Sequence, residues 1–308
     1  MFRYVVAQVT QLLVVVFGVL TITFVVLRIT GSPVDSLLPP NATQQERQLL
    51  IRELGLDKPI PVQYATFLGK AVRGDFGNSI ITEQPAEGVV LAQMPSSLIL
   101  AFLAAGASTI VGLAGGTWAA IRHNRWPDRV VTVVAVAGQA MPVYWLGLIL
   151  IIIFAVTLNL LPASGDEGVS ALILPVATLS VALLPYVLRV ARSTMLDVLR
   201  SDFVRFHRAK GLSETSIVLR HALKNSLGPI ITLLGLQAGP ILVGVVAIEY
   251  VFGRSGMGSL LINSIYSRDY PVVQAAVFTI ALLVVGANFA ADLLVAYIDP
   301  RVRLGARA

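Results

Sequence analysis

The chain has 308 residues, 56% of them hydrophobic and only 13% charged, with a formal net charge of +6, and its mean hydropathy is +0.80. A soluble domain carries about a quarter charged residues, so a water-soluble protein of this size is excluded and the chain reads as a polytopic membrane protein. The absence of cysteine and the scatter of the three histidines, His123, His207 and His221, exclude thiolate metal sites, disulfides and a clustered histidine ligand set.

Six apolar stretches in chain order approach the roughly 20 residues that a helix needs to cross a hydrocarbon core about 30 Å thick. Tyr4 to Leu27 is 24 residues without a charge, too long for the apolar core of a cleavable leader, and is expected to be retained. Ser96 to Ile121 is the second. Val130 to Leu161 is the third, interrupted by Pro142 and long enough to tilt or break. Ser170 to Leu188 carries Pro175 and Pro185 and is expected to run on into the basic segment after Arg189. Ser226 to Ile248 and Tyr270 to Ala291 complete the set. Gly112, Gly115 and Gly116 give the second span a small face, and Gly235 with Gly239 forms G-x-x-x-G in the fifth.

The positive charge lies between these spans, which fits membrane orientation and not a nucleic-acid surface. Arg122 to Arg129 holds three basic residues, Arg189 to Lys224 eight, and the tail after Asp299 three, while Pro162 to Val169 holds none and Glu249 to Asp269 two. Both ends are therefore expected in the cytoplasm. The 68 residues from Arg28 to Pro95 then lie outside; Gln44 to Gly55 reads as a polar helix capped by Thr43, and Asp57-Lys58-Pro59 and Arg73-Gly74-Asp75 read as turns. That length is large for an idle connection.

The cytoplasmic run DFVRFHRAKGLSETSIVLRHALKNSLGP, Asp202 to Pro229, reads as two short helices around Gly211-Leu212-Ser213, with Ser213 capping the second. A basic loop obeying the positive-inside rule has the same composition. A helix, a glycine break and a second amphipathic helix also make a rigid protrusion suited to a partner's groove. The only Gly-Lys pair, Gly69-Lys70, is followed by Ala71, so there is no phosphate loop and any ATP must be held by another chain.

Here the sequence resembles the permease subunits, specifically the first (B-type) permease, of dipeptide and oligopeptide ABC importers. RAKGLS at Arg208 to Ser213 and HALKNSLGP at His221 to Pro229 are similar to that family's coupling loop. Where the general importer pattern has Glu-Ala-Ala, this chain has Arg205, Phe206 and His207; Arg is familiar in the peptide branch, whereas Phe206 and His207 depart from small residues. LGLDKPIPVQY at Leu54 to Tyr64, GDFGNS at Gly74 to Ser79, LPASG at Leu161 to Gly165, EYVFGRSGMGSLL and SRDYPVVQ between Glu249 and Gln274, and YIDPRVR at Tyr297 to Arg303 resemble its outer segments and ending, with Ser255 where a proline is usual.

The resemblance implies a single all-α transmembrane domain over 1–308 with six helices in the type I ABC importer permease fold. It has an extracytoplasmic segment at 28–95 and a cytoplasmic coupling loop at 196–228. It implies a bacterial inner-membrane location, a second homologous permease, two cytoplasmic ATPases that bind ATP and magnesium, and an extracytoplasmic binding protein. This chain would hold no cofactor or metal and catalyse nothing. Phe203, Arg205, Arg208, Ala209, Lys210, Gly211 and Leu212 would couple to the ATPases. Asp57, Tyr64, Gly74, Asp75, Asp269 and Tyr270 would face the binding protein or the pathway mouth. The implied substrate is a short peptide; nickel and glutathione importers share the architecture.

Three other readings are open on the residues. Gln139, Gln237 and Asn288, polar within spans, suit interhelical hydrogen bonds or the pathway. An ion-coupled carrier would use ionisable groups near mid-membrane, but Glu249 and Asp292 fall toward span ends. Gly253-Arg254-Ser255-Gly256 matches the G-x-S-G of intramembrane serine proteases, yet the histidines all fall in segments expected on the opposite side, and a glycine turn is the simpler account.

Overall fold

The computed structural model describes residues 2–29, 34, 38, 42–53 and 55–298; Leu54 and the tail beyond Ile298, with its family-like ending and basic residues, lie outside them. The described residues form the helices α1 (Phe2–Ile29), α2 (Gln44–Glu53), α3 (Ile60–Ala71), α4 (Ala86–Ile121), α5 (Trp126–Ala140), α6 (Val143–Leu150), α7 (Ser170–Arg200), α8 (Asp202–Ala209), α9 (Glu214–Ser216), α10 (Leu223–Val251), α11 (Met257–Tyr266) and α12 (Tyr270–Ile298). Wider π-type turns occupy Ile151–Thr157 and Ile217–Ala222.

The expected spans coincide with helices. Among the described residues, α4, α7, the continuous helical run Glu214–Val251 and Tyr270–Ala291 of α12 are each long and apolar enough to cross a bilayer. α1 contains the expected first span, and its described apolar part runs Leu13–Ile29. The third span is not one tilted helix. Trp126–Ala140 and Val143–Thr157 meet at a bend of 106°, because Pro142 holds Met141 extended (φ −96°, ψ 126°) and has no N–H to offer a helix. In the fourth span the helix does run on, as expected, through Pro175 and Pro185 to Arg200. The fifth begins earlier than its apolar stretch, at Glu214. Two helices were not legible in the sequence: α3 in the first outer segment and α11 within the stretch taken as the third outer loop.

Two compact units result. The first takes residues 2–97 and 255–285 of the described chain. Its core joins Leu20 of α1, Ala71 and Phe76, Ala86 and Val90 of α4, Met257, and Val272, Ala275 and Ala276 of α12. Helix α2 starts in a reciprocal cap: Glu46 N–H donates to Thr43 Oγ1 at 3.3 Å, and Thr43 N–H donates to the Glu46 carboxylate at 2.8 Å. The latter bond holds the Glu46 carboxyl below its ordinary range.

The second unit takes residues 98–254 and the described residues from 286 onward. Helix α7 is its centre: 56% of its apolar window is buried, against 22–28% for the other crossing helices. Leu174 and Leu179 of α7 pack with Leu100 of α4 and Val245, Ile248 and Phe252 at the end of α10. Helix α4 reaches α7 backbone to backbone, because a Cβ on Gly116 would lie 2.7 Å from the Cβ of Ala191 and 2.9 Å from the amide nitrogen of Arg192. In the G-x-x-x-G of α10, Gly235 meets Ala291 of α12.

Candidate functional site

The basic segment after α7 is built as a helix, a left-handed turn and a second helix. Ser201 is extended (ψ 155°) and breaks the chain out of α7. Val204 of α8 is fully buried and pins that helix to the unit, while Phe203 and Phe206 are exposed. Gly211 has φ +77° and nothing within 4 Å of where a Cβ would stand, so backbone sterics alone select glycine there. Ser213 then caps the next helix, accepting from the amide of Ser216 at 3.4 Å. That second helix is not a separate short element; it continues through the π-type turn into α10.

The charges around the turn are engaged within the chain. Arg208 donates through Nε and Nη2 to Glu214 at 2.6 and 3.1 Å, a bidentate bond that spans the Gly211 turn. Arg205 pairs with Asp202 at 3.1 Å on the exposed face, and Lys210 Nζ lies 4.4 Å from the centre of the Phe206 ring. Ala209 ends α8 and Leu212 follows the turn, both exposed. His207 Nδ1 donates to the Phe203 carbonyl at 2.8 Å, and its ring lies 4.3 Å from that of His221 in the π-type turn. The exposed surface therefore offers Phe203, Phe206, Leu212 and Arg205 on a frame fixed by Val204 and the Arg208–Glu214 bridge. Glu214 was the residue sequence reading missed; its signal was the carboxylate directly after the capping Ser213.

The outer-segment candidates divide. Asp57 and Asp75 are exposed, with Asp75 accepting from the Gly77 amide at 3.0 Å and Gly74 turning at φ +77°. Tyr64 instead faces α1: its ring meets Phe24 edge-on at 5.0 Å and its hydroxyl lies 2.5 Å from that of Thr21. Asp269 is buried. Its Oδ2 accepts from Ser79 Oγ at 2.5 Å and its Oδ1 from the Ile80 amide at 3.1 Å, which ties the first outer segment to the turn before α12. Tyr270, half-buried, opens α12. Asp269 and Tyr64 thus have internal structural partners, whereas Asp57, Gly74 and Asp75 sit on the surface or in a turn at it.

Among the polar span residues, Gln139 accepts from Arg189 Nη2 at 2.7 Å, an interhelical bond between α5 and α7. Gln237 is half-buried on α10 and Asn288 is exposed on α12. Glu249 is fully buried at the end of α10, and its carbonyl accepts from the Arg254 amide at 2.8 Å. The G-x-S-G run is a turn with Gly253 at φ +55°, leading into α11. Sequence reading also missed an ion-paired cluster: Asp128 at the start of α5 accepts from Arg192 of α7 at 2.9 Å and from the Asn124 amide at 2.9 Å, with His123 Nδ1 3.2 Å from the same carboxylate.

Among the described residues the chain is a helical membrane domain whose basic segment presents a braced helix and turn. The family described as "Binding-protein-dependent transport system inner membrane component" matches residues 112–304, and its N-terminal counterpart, "Binding-prot-dependent transport system membrane comp, N-term", matches residues 1–101. The chain belongs to the binding-protein-dependent transport system inner-membrane component family. It is 36% identical, over 98% of its own length and 99% of the relative's, to the glutathione transport system permease protein GsiC of Escherichia coli K12, and equally to that of Shigella dysenteriae serotype 1. In the solved inward-facing MetNI methionine ABC transporter, one chain aligns with a TM-score of 0.57 at 17% identity, over 68% of this chain and 96% of that one. The fold is that of type I ABC importer permeases. The protein is a multi-pass inner-membrane permease and not an enzyme.

Proposed function

We propose that this chain forms half of the translocation pathway of an ATP-driven importer, with glutathione, the alternative to a di- or oligopeptide, as the cargo that its relatives favour. The other half is a second, homologous permease. Two cytoplasmic ATPases hold ATP and magnesium, and a binding protein delivers substrate on the outside. The chain's ends and the α8 turn face the cytoplasm, as the basic short loops favour. A reporter fused at Gly165 should then read as external, and a cytoplasmic signal there would reverse the orientation.

The observation that carries the coupling role is the braced protrusion: Phe203, Phe206 and Leu212 exposed on a helix and turn held by Val204, Gly211 and the Arg208–Glu214 bridge. Exposed aromatic and aliphatic side chains on a rigid frame suit a groove in a partner. Movement of the ATPases would be passed to α7 and α10, which flank the turn, and so alternate the access of the pathway. Arg205, Ala209 and Lys210 complete the contact. Asp57, Gly74 and Asp75 are the surface elements offered to the binding protein, with Asp269, Tyr64 and Tyr270 supporting them from within. Gln237 and Asn288 are the polar groups available to the pathway.

The 36% identity to glutathione permeases over nearly the whole chain favours glutathione over di- or oligopeptides; nickel is the other alternative cargo. Co-purification and uptake test both levels. Phe203→Asp with Phe206→Asp should leave the permease inserted and paired with its sister but release the ATPases and abolish uptake of labelled glutathione or dipeptides. Full transport in that variant would move the ATPase contact elsewhere, and uptake of nickel without peptide would replace the substrate class.

A further inference from the structure

Helix α7 is the most buried of the crossing helices, yet one of its faces is left open and that face is polar. Pro185, Val187, Leu188 and Ala191 are buried, whereas Tyr186, Arg189 and Ser193, at positions i, i+3 and i+7 of one helical stripe, are exposed. A stripe that carries a charge is costly against lipid and belongs to a bundle interior or a water-filled cavity.

The two arginines of this stretch are engaged differently. Arg192 pairs with the Asp128 carboxylate, but among the described residues Arg189 bonds only to a neutral group, donating from Nη2 to Gln139 Oε1 of α5 at 2.7 Å. A guanidinium carries its N–H donors in a fixed fork that matches a carboxylate bidentately, and one amide oxygen uses little of it. The charge and most of the donors of Arg189 remain on offer.

The position of the guanidinium decides what it meets. A Cβ on Gly138 would lie 2.8 Å from Cγ of Pro185, so the neighbouring Gln139 stands about level with a residue four positions before Arg189, about 6 Å nearer the start of α7. Arg189 thus reaches away from the basic end of its helix, the reverse of an arginine snorkelling to the headgroups on that side. Gln139 is ten residues beyond Arg129, about 15 Å along α5, or half of a hydrocarbon core about 30 Å thick. It is also two residues from the extended Met141, where the two halves of the third span meet at 106°. Irregular backbone at membrane depth is tolerated where it lines a cavity, and broken helices of this kind build substrate sites in transporters.

We infer that Arg189, held by Gln139 and with Tyr186 one turn away, binds a carboxylate of the transported substrate beside the break in the third span. The inference deepens the pathway reading and rests on it. A carboxylate-bearing peptide such as glutathione supplies the charge and the planar pair of acceptors that Gln139 cannot, whereas a nickel ion would be repelled. The site therefore selects between the candidate cargoes by charge.

Uptake by the full importer, this permease with its sister, the ATPases and the binding protein in vesicles, tests it with labelled glutathione and its bis-amide, in which both carboxylates are replaced, each at saturating concentration. Arg189→Gln changes an exposed side chain and should co-purify with its partners. It should lower maximal glutathione uptake roughly tenfold or more, the scale of a lost charge-assisted hydrogen bond, and leave uptake of the bis-amide unchanged. Arg189→Lys, which keeps the charge without the fork, should fall between, and it carries the same comparison should Arg189→Gln not assemble. Gln139→Leu, which removes only the holder, should lose less than Arg189→Gln. Undiminished glutathione uptake by Arg189→Gln, or an equal fractional loss of both compounds, would overturn the site and leave the importer reading intact. A wild-type complex that moves neither compound, or moves nickel alone, would overturn the substrate reading and the site with it.

Discussion

Arg192 of α7 grips Asp128 of α5 through two of its N–H groups, with Nη2 2.9 Å from Oδ2, across 64 positions of sequence. Asp128 is nearly buried, at 6% side-chain exposure, while Arg192 keeps 28%. Breaking a buried pair from one side leaves the other charge uncompensated, at a cost of about 3–5 kcal/mol when both are fully buried. Because Arg192 reaches solvent, Asp128→Ala should cost on the order of 2–3 kcal/mol. The thermal midpoint of the purified protein should fall clearly, and Asp128→Ala with Arg192→Met should recover part of the loss. An unchanged midpoint in the single variant would mean that the pair contributes nothing net.

The close approach of α4 and α7 sets a second expectation. At Gly116 a Cβ would meet backbone of α7, the Arg192 nitrogen and the Leu188 oxygen, both at 2.9 Å, and backbone cannot rotate aside. Gly116→Val should therefore lose most folded protein on size-exclusion chromatography. Gly106→Ala on the same helix meets nothing within 4 Å and should be neutral or stabilising by about 0.5–1 kcal/mol through helix propensity. Similar yields for Gly116→Val and Gly106→Ala would contradict the packing.

These two relationships mark the limit of what the sequence discloses. Long uncharged apolar runs require burial in a membrane, so the spans were legible. Local chemistry also was: Thr43 caps α2, and Gly211 and Ser213 make the turn and cap of the basic segment as read. Pairings at long range were not. Nothing local tells that Asp128 meets Arg192, that Asp269 meets Ser79, or that Tyr64 rests on α1. Asp269 and Tyr64 were assigned to the binding-protein face or pathway mouth by the family resemblance, which carries no sign of the internal hydrogen bonds that both also make. The bend at Pro142 was visible as a break, but its 106° angle depends on packing.

The Asp269 clamp should be measurable by proteolysis. Removing its carboxylate leaves Ser79 Oγ and the Ile80 amide without their acceptors, a loss of about 1–3 kcal/mol for such buried bonds. Asp269→Ala should expose the segment from Ser79 to Gln84 to cleavage at protease levels that spare the wild type, with Asp269→Asn intermediate because its amide oxygen can still accept. If all three are cut at the same rate, the clamp does not hold the first outer segment.

The Gly211 turn separates backbone conformation from side-chain contact. Its φ of +77° lies in the left-handed region, and a Cβ there would touch nothing within 4 Å, so any penalty for substitution is conformational, about 1–2 kcal/mol for an ordinary L residue. Asparagine tolerates that region better than alanine, and a β-branched residue tolerates it worst. The order of damage should therefore be Asn, then Ala, then Val, although Asn is the most polar of the three and Ala the smallest. If the turn positions a contact with the ATPases, uptake and ATPase co-purification should decline in that order while membrane insertion stays constant. Glu214→Gln, which weakens the bridge to Arg208 without touching the backbone, should resemble the mildest of them. Undiminished transport by both the Asn and the Val variants would show that the left-handed conformation at Gly211 is not needed for coupling. A loss in Asn as deep as in Val would instead assign the position to direct contact with a partner.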